Sequence, residues 1–198
     1  MCDAISDPMV GYWSDNFRSK WGRRHPFMYL AALPVAISFF FLWVPPADAS
    51  QITLFWYLLV LAIIIRTAMT FYHTPNSALA PDLTEDYQER TKIYSLRNLI
   101  AWTGANMLSV FMFLVVFPSF QNDEYEAGQF NPEAYVSFGF IGSCVILASI
   151  LASSLGTHSR IEHLNAPPAK RPMTLKLVFK ELFESLSELY FISLFIAA

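Results

Sequence analysis

Long apolar stretches, separated by short polar loops that alternate in charge, constrain this chain more than any other feature. Pro26–Val44 is an apolar run of 19 residues, close to the roughly 20 that a helix needs to cross a hydrocarbon core. Further spans are expected at about 1–14, 52–80, 92–117 and 133–157. Lipid offers no partner to backbone N–H and C=O groups, so such stretches must be helical. Pro26 suits a first helical turn, and Pro45-Pro46 should stop the helix it opens. Only 15% of the 198 residues are charged and 55% are hydrophobic, whereas soluble domains carry about 25% charged residues. The expected class is an all-α membrane protein, multi-pass, in the cell membrane.

The loops set the topology. Lys and Arg gather in Arg18–Arg24, Glu89–Arg97 and Arg160–Lys180, while Ala47–Gln51 and Ser119–Pro132 hold none. By the positive-inside rule the first group is cytoplasmic and the second external. Basic residues confined to membrane edges give no footprint for a nucleic acid. Glu133–Thr157 contains Gly139, Gly142, Ser143, Ser149, Ser153 and Ser154, small residues suited to tight helix contacts. Residues 158–187 read as a cytoplasmic linker whose 174–187 segment is an amphipathic helix lying on the membrane surface. Cys2 and Cys144 sit in apolar helical surroundings and read as packing residues.

Two sets of polar residues interrupt the apolar pattern. Asp3 and Asp7 are four apart, so on a helix they project from one face within reach of a shared ion. Pro8 frees the carbonyl of Ala4 from its usual partner, and Gly11 offers a smooth point for a second backbone. Further along, Arg66, Thr70, His73 and Ser77 follow offsets of 4, 7 and 11, which places them on one helix face. Such a stripe on an apolar helix normally faces a bundle interior or a water-filled cavity. No phosphate-cradling glycine loop, metal-spaced Cys/His set or nucleophile–base arrangement is present, so nothing points to an enzyme.

Two blocks carry a resemblance. D-A-I-S-D-P-M-V-G-Y-W-S-D…R-S-K-W-G-R-R-H-P resembles the second helix and following loop of the glycoside–pentoside–hexuronide:cation symporters, the melibiose-permease-like branch of the major facilitator superfamily. F-Y-H-T-P-N-S-A-L-A-P-D-L-T-E-D-Y-Q-E-R-T, followed by Arg97 and Gly104, is similar to the end of the fourth helix, the next loop and the start of the fifth. The resemblance implies a partial N-terminal bundle of a twelve-helix fold. Residues 1–157 would be that bundle without its first helix, 158–187 the linker, and 188–198 the start of the seventh helix.

The resemblance also implies roles. Asp3 and Asp7 match carboxylates that bind the coupling Na+, H+ or Li+, with His73 where melibiose-permease-like members carry an aspartate of the cation site. Arg97 matches an arginine associated with sugar binding, and Ser77 stands where those members have a tryptophan. Arg66 and Ser77 join Arg97 as candidate solute contacts. Gly11, Asp15, Arg18, Gly22, Arg23 and Arg24 form a variant of the superfamily's loop whose charge pairs lock cytoplasmic helix ends in one state. The expected activity is cation-coupled symport of a sugar or glycoside, with protons as the coupling ion and no cofactor. A non-sugar solute such as an organic acid, nucleoside or drug, and a membrane fragment that conducts nothing, are the alternatives. Arginine keeps its charge at any accessible pH, so pairing of Arg66 with Asp3 or Asp7 would do permanently what a bound Na+ does.

Overall fold

The computed structural model describes residues 2–84, 86–159 and 161; of Cys2–Ile5 and Ala80 only the backbone is described. The linker helix and the start of the seventh span fall outside the described residues. Among the described residues the fold is all helical: α1 (Cys2–Asn16), α2 (His25–Leu42), α3 (Gln51–Leu83), α4 (Tyr87–Phe111), a π-helical turn (Met112–Val116), α5 (Phe117–Ser119), a 3-10 turn (Gly128–Phe130) and α6 (Pro132–His158). Four helical stretches here are long and apolar enough to cross a membrane: His25–Leu42, Gln51–Leu83, Tyr87–Ser119 and Pro132–His158.

Local chemistry sets the helix ends. Ser50, Asp86 and Asn131 cap α3, α4 and α6, their side chains accepting hydrogen bonds from the amides of Thr53, Gln88 and Glu133. The cap at Asp86 starts α4 at Tyr87, several residues ahead of the apolar run that begins near Lys92. α2 ends at Leu42 with Trp43 as its C-cap, because the residue before Pro45 is disfavoured in a helix. Pro75 lies fully buried inside α3 and cannot donate to the carbonyl of Phe71.

α2 is the central helix, packed on one side by α3 and on the other by α6, while α1 lies along α3. Ala32 and Val35 of α2, Ala68 of α3 and Ile150 of α6 form the shared core, with Tyr72, Ile146, Leu147 and Leu151 against it. The opposite face of α2 leaves Leu30, Leu33, Ile37 and Phe41 exposed. A helix apolar on both faces is a lipid-embedded one. Small residues let α6 approach α2. A Cβ on Gly139 would lie 2.8 Å from the Trp43 Cβ, and one on Gly142 would lie 2.6 Å from the Phe39 ring. α4 makes few contacts with α3 and buries none of its residues.

Alternate loops come together at alternate ends. The end of α1, the start of α2 and the end of α3 meet at one end, where Asp15, Arg23, Arg24 and Asp82 pair. At the other, Tyr57 of α3 donates to the carbonyls of Phe41 and Val44, tying the turn that follows α2. The turn after α5 is stapled by Asn131, which donates to the Phe120 carbonyl at 3.1 Å.

Candidate functional site

The charge cluster at the basic end is built from three elements. Arg24, at the start of α2, has a side chain only 8% exposed. Its guanidinium reaches Asp82 at 2.5 Å and Asp15 at 3.1 Å, and it donates to the Ala78 carbonyl. Arg23 donates to the same Asp82 oxygen at 2.7 Å and lies 4.0 Å from Asp15. Ala78 and Asp82 are one turn apart at the end of α3, so a single guanidinium bridges both. Pairs this sheltered are weakly stabilising when intact, but removing one partner leaves a poorly solvated charge. They therefore hold α1, α2 and α3 in one arrangement.

The loop that presents these arginines is shaped by Gly22, whose φ of 78° lies in the left-handed region. Ser19 closes it by donating to the Gly22 carbonyl at 2.8 Å. Gly11 faces Thr74 of α3 at 3.6 Å from a would-be Cβ, an ordinary contact. Of the six residues expected in the lock, Asp15, Arg23 and Arg24 share ion pairs, and Gly22 shapes the loop. Arg18 is exposed and makes no ion pair among the described residues. Asp82, the carboxylate that both arginines share, is absent from the expected set. Its place beside Pro81 reads as loop, whereas α3 continues through Leu83.

The seam between α1 and α3 holds the residues expected to bind cation and solute. Ser6 and Thr70 touch through their hydroxyls at 3.4 Å, and the buried Thr70 donates to the Arg66 carbonyl at 3.2 Å. Asp7 follows Ser6 directly and is exposed. Asp3 lies one turn back on the same helix. Thr70 turns toward α1, whereas Arg66 and His73 are exposed, with the Ser77 hydroxyl 3.4 Å from His73 Nδ1. Arg97, half-buried on α4, is one turn beyond Tyr94, whose hydroxyl donates to the Ser77 carbonyl at 3.4 Å. The described contacts thus link α1 to α3 through Ser6–Thr70 and α4 to α3 through Tyr94–Ser77. They do not join Arg97 to Asp7 directly.

A second polar knot at the same end was not anticipated. The fully buried His25 shares a 3.0 Å hydrogen bond through Nε2 with the hydroxyl of Thr157 on α6. Tyr29 donates to the Ser154 carbonyl at 3.3 Å and lies 3.0 Å from His158 Nδ1. Ser153 and Ser154 were read only as small packing residues, and Thr157 and His158 only as the boundary between the last span and the linker. Their partners come from a helix more than a hundred positions away, which spacing along one helix cannot show.

An all-helical bundle with several apolar spans and its charged links at one rim defines a multi-pass membrane protein. The chain belongs to the MFS/sugar transport protein family, whose profile matches residues 1–198. Its relatives include an uncharacterized symporter of Synechocystis, 34% identical over 58% of this chain and 22% of that protein. The lactose permease of Leuconostoc lactis is 24% identical over 90% of this chain and 28% of the permease. The sodium-dependent lysophosphatidylcholine symporter 1 of Gallus gallus is 33% identical over 52% of this chain and 19% of that protein. The matched region is thus less than a third of each of these relatives.

Proposed function

We propose that the chain forms part of a cation-coupled symporter for a sugar or glycoside, acting by transport rather than by catalysis, with protons as the coupling ion. Family membership and relatives named as symporters and a lactose permease support the class of activity. The observation that carries the residue assignment is the α1–α3 seam. The Ser6–Thr70 contact lies next to Asp7 on one helix and one turn from Arg66 on the other. Asp3 and Asp7 take the coupling cation, His73 relays the proton, and Arg66, Ser77 and Arg97 contact the solute. Pairing of Arg66 with one of the two carboxylates would occupy it permanently and leave the other for the coupling cation. The Asp15–Arg23–Arg24–Asp82 cluster closes one rim of the bundle during part of the cycle.

A family-length transporter containing this chain, expressed in cells, gives the test. Addition of sugar should alkalinise the medium without any requirement for Na+. Arg66→Ala should abolish uptake or make it respond to Na+, and adding Asp7→Asn should restore part of what Arg66→Ala removes. Uptake that requires Na+ in the unmodified protein would overturn proton coupling.

A second reading has a specific observation behind it. The symporter named for lysophosphatidylcholine matches this chain at higher identity than the lactose permease does, over a shorter region. Departures at His73 and Ser77 from the melibiose-permease-like pattern point the same way. On that reading the solute is not a sugar, and the same assay with an amphiphile in place of the sugar separates the two.

A further inference from the structure

The start of α2 is attached in two directions. Arg24 reaches to Asp15 and Asp82, on α1 and α3, while the next residue, His25, is bonded to α6. Tyr29, one turn on, meets the same part of α6, and Trp21 packs edge-on against it with ring centroids 6.1 Å apart. Beyond α6, Ile161 lies 3.2 Å from where a Cβ on Gly22 would stand. The loop that presents the arginines is thereby held from the α6 side as well.

The hydrogen bonds assign the ring protons. Thr157 donates its hydroxyl hydrogen to the Ser153 carbonyl at 2.9 Å, so its oxygen is left to accept from His25 Nε2 at 3.0 Å. Tyr29 uses its hydrogen on the Ser154 carbonyl, so its oxygen accepts from His158 Nδ1. The second nitrogen of His25, Nδ1, is buried and has no hydrogen-bond partner among the described residues. A proton placed there would have no acceptor, so His25 is a neutral imidazole in this arrangement. The half-buried His158 stands edge-on beside it, ring centroids 5.6 Å apart, and donates through Nδ1 whether or not its Nε2 is protonated.

The closed knot thus has room for one extra proton, on His158. A second would set two imidazolium rings side by side, one of them without an acceptor. Parting α6 from α2 gives both rings to water, where each can take its own proton. The open form therefore binds more protons, so the closed form is favoured as pH rises and lost as pH falls. Other charged groups on the elements around the knot are Arg18 and Lys20, exposed on the loop, and Arg23 and Arg24 with their partners Asp15 and Asp82. The arginines keep their charge throughout. Arg160, Glu162 and His163 follow α6 outside the described residues.

We propose that His25 and His158 form a pH-sensitive latch between α2 and α6, closed at neutral pH and opened in acid when the pair takes its second proton. Opening releases the loop that carries Arg23 and Arg24 from its support on α6, so the latch regulates the charge cluster from the side away from Asp82. The latch is separate from the α1–α3 seam and does not depend on the transport reading.

The test uses the full chain in nanodiscs, with Cys2→Ser and Cys144→Ser, and spin labels introduced through Lys20→Cys and Gly156→Cys. Lys20 is exposed, and a Cβ on Gly156 meets nothing within 4 Å. Pulsed electron–electron resonance reads the distance between the loop and the end of α6. From about pH 8 to about pH 5.5 the population at the longer distance should rise about fivefold or more, since one extra proton allows up to about tenfold per pH unit. His25→Gln keeps an N–H donor for Thr157 but takes up no proton, and should hold the shorter distance at both pH values. His158→Asn keeps a donor for Tyr29 and should do the same. A distance distribution that does not move with pH in the chain with both histidines, or a full pH response surviving in either variant, would overturn the proposal. Survival in both would assign the response to Asp15 and Asp82 instead.

Discussion

At one end of the bundle α1, α2 and α3 are joined by two arginines and two aspartates, while at the other α2, α5 and α6 are joined by stacked rings and a glycine pressed against a backbone oxygen. The first kind of join has alternatives. Charges that part and reach the rim meet water and counter-ions rather than a void, so the links can open and re-form once solvent enters. The second kind has none, because ring and backbone surfaces that separate leave a void. A bundle that must move at one rim and stay whole at the other would distribute its contacts in this way.

The largest expected effect lies at the packed end. Gly128→Ala should destabilise the chain by about 3 kcal/mol or more, because the added Cβ meets backbone that cannot swing aside. Unfolding in mixed micelles with increasing SDS would measure it, and a loss below about 1 kcal/mol would show that the loop re-routes freely.

Next comes the charged end. Arg24→Ala should cost about 2–4 kcal/mol by leaving Asp82 without its closest partner. Arg24→Ala combined with Asp82→Asn should cost less than the two single changes summed, which a double-mutant cycle reads directly. Raising salt should weaken this coupling and leave the Gly128→Ala penalty unchanged; equal sensitivity at both ends would erase the contrast.

Gly22→Ala should cost about 1 kcal/mol, since alanine resists a positive φ and its Cβ would also lie 3.2 Å from Ile161. The smallest effect belongs to Arg18→Ala. With an exposed side chain and no ion pair among the described residues, it should change stability by less than about 0.5 kcal/mol. A loss comparable to that of Arg24→Ala would place Arg18 in the cluster after all.

Much of this architecture was legible because lipid imposes it. The run from Pro26 to Val44 has to be helical, and the alternation of basic and non-basic loops groups the helix ends into two sets without reference to any partner. Asp15 and the two arginines were named through the resemblance to the superfamily's loop, since a basic loop by itself reads equally well as a topology signal. Asp82 was not, because Pro81 beside it signals a helix end that arrives two residues later, after Leu83. The His25–Thr157 bond and the stack of Trp43 on Tyr135 depend on which helices become neighbours. The hydropathy of each helix looks much the same from every side, so no periodicity announces that choice.

Pro75 has a mechanical consequence. With no amide to donate to the Phe71 carbonyl, α3 lacks one rung of its ladder about two turns before Asp82. Bending stiffness falls at such a point, and a rod that is soft at one place turns there under load. The stretch beyond it, residues 76–83, carries two of the three acceptors that Arg24 holds, Ala78 and Asp82. Force on that arginine is therefore delivered to a short lever with its pivot already in place. A tilt of a few degrees at Pro75 would carry Asp82 away from its arginines without disturbing the Ala68 core, which lies about two turns below the proline.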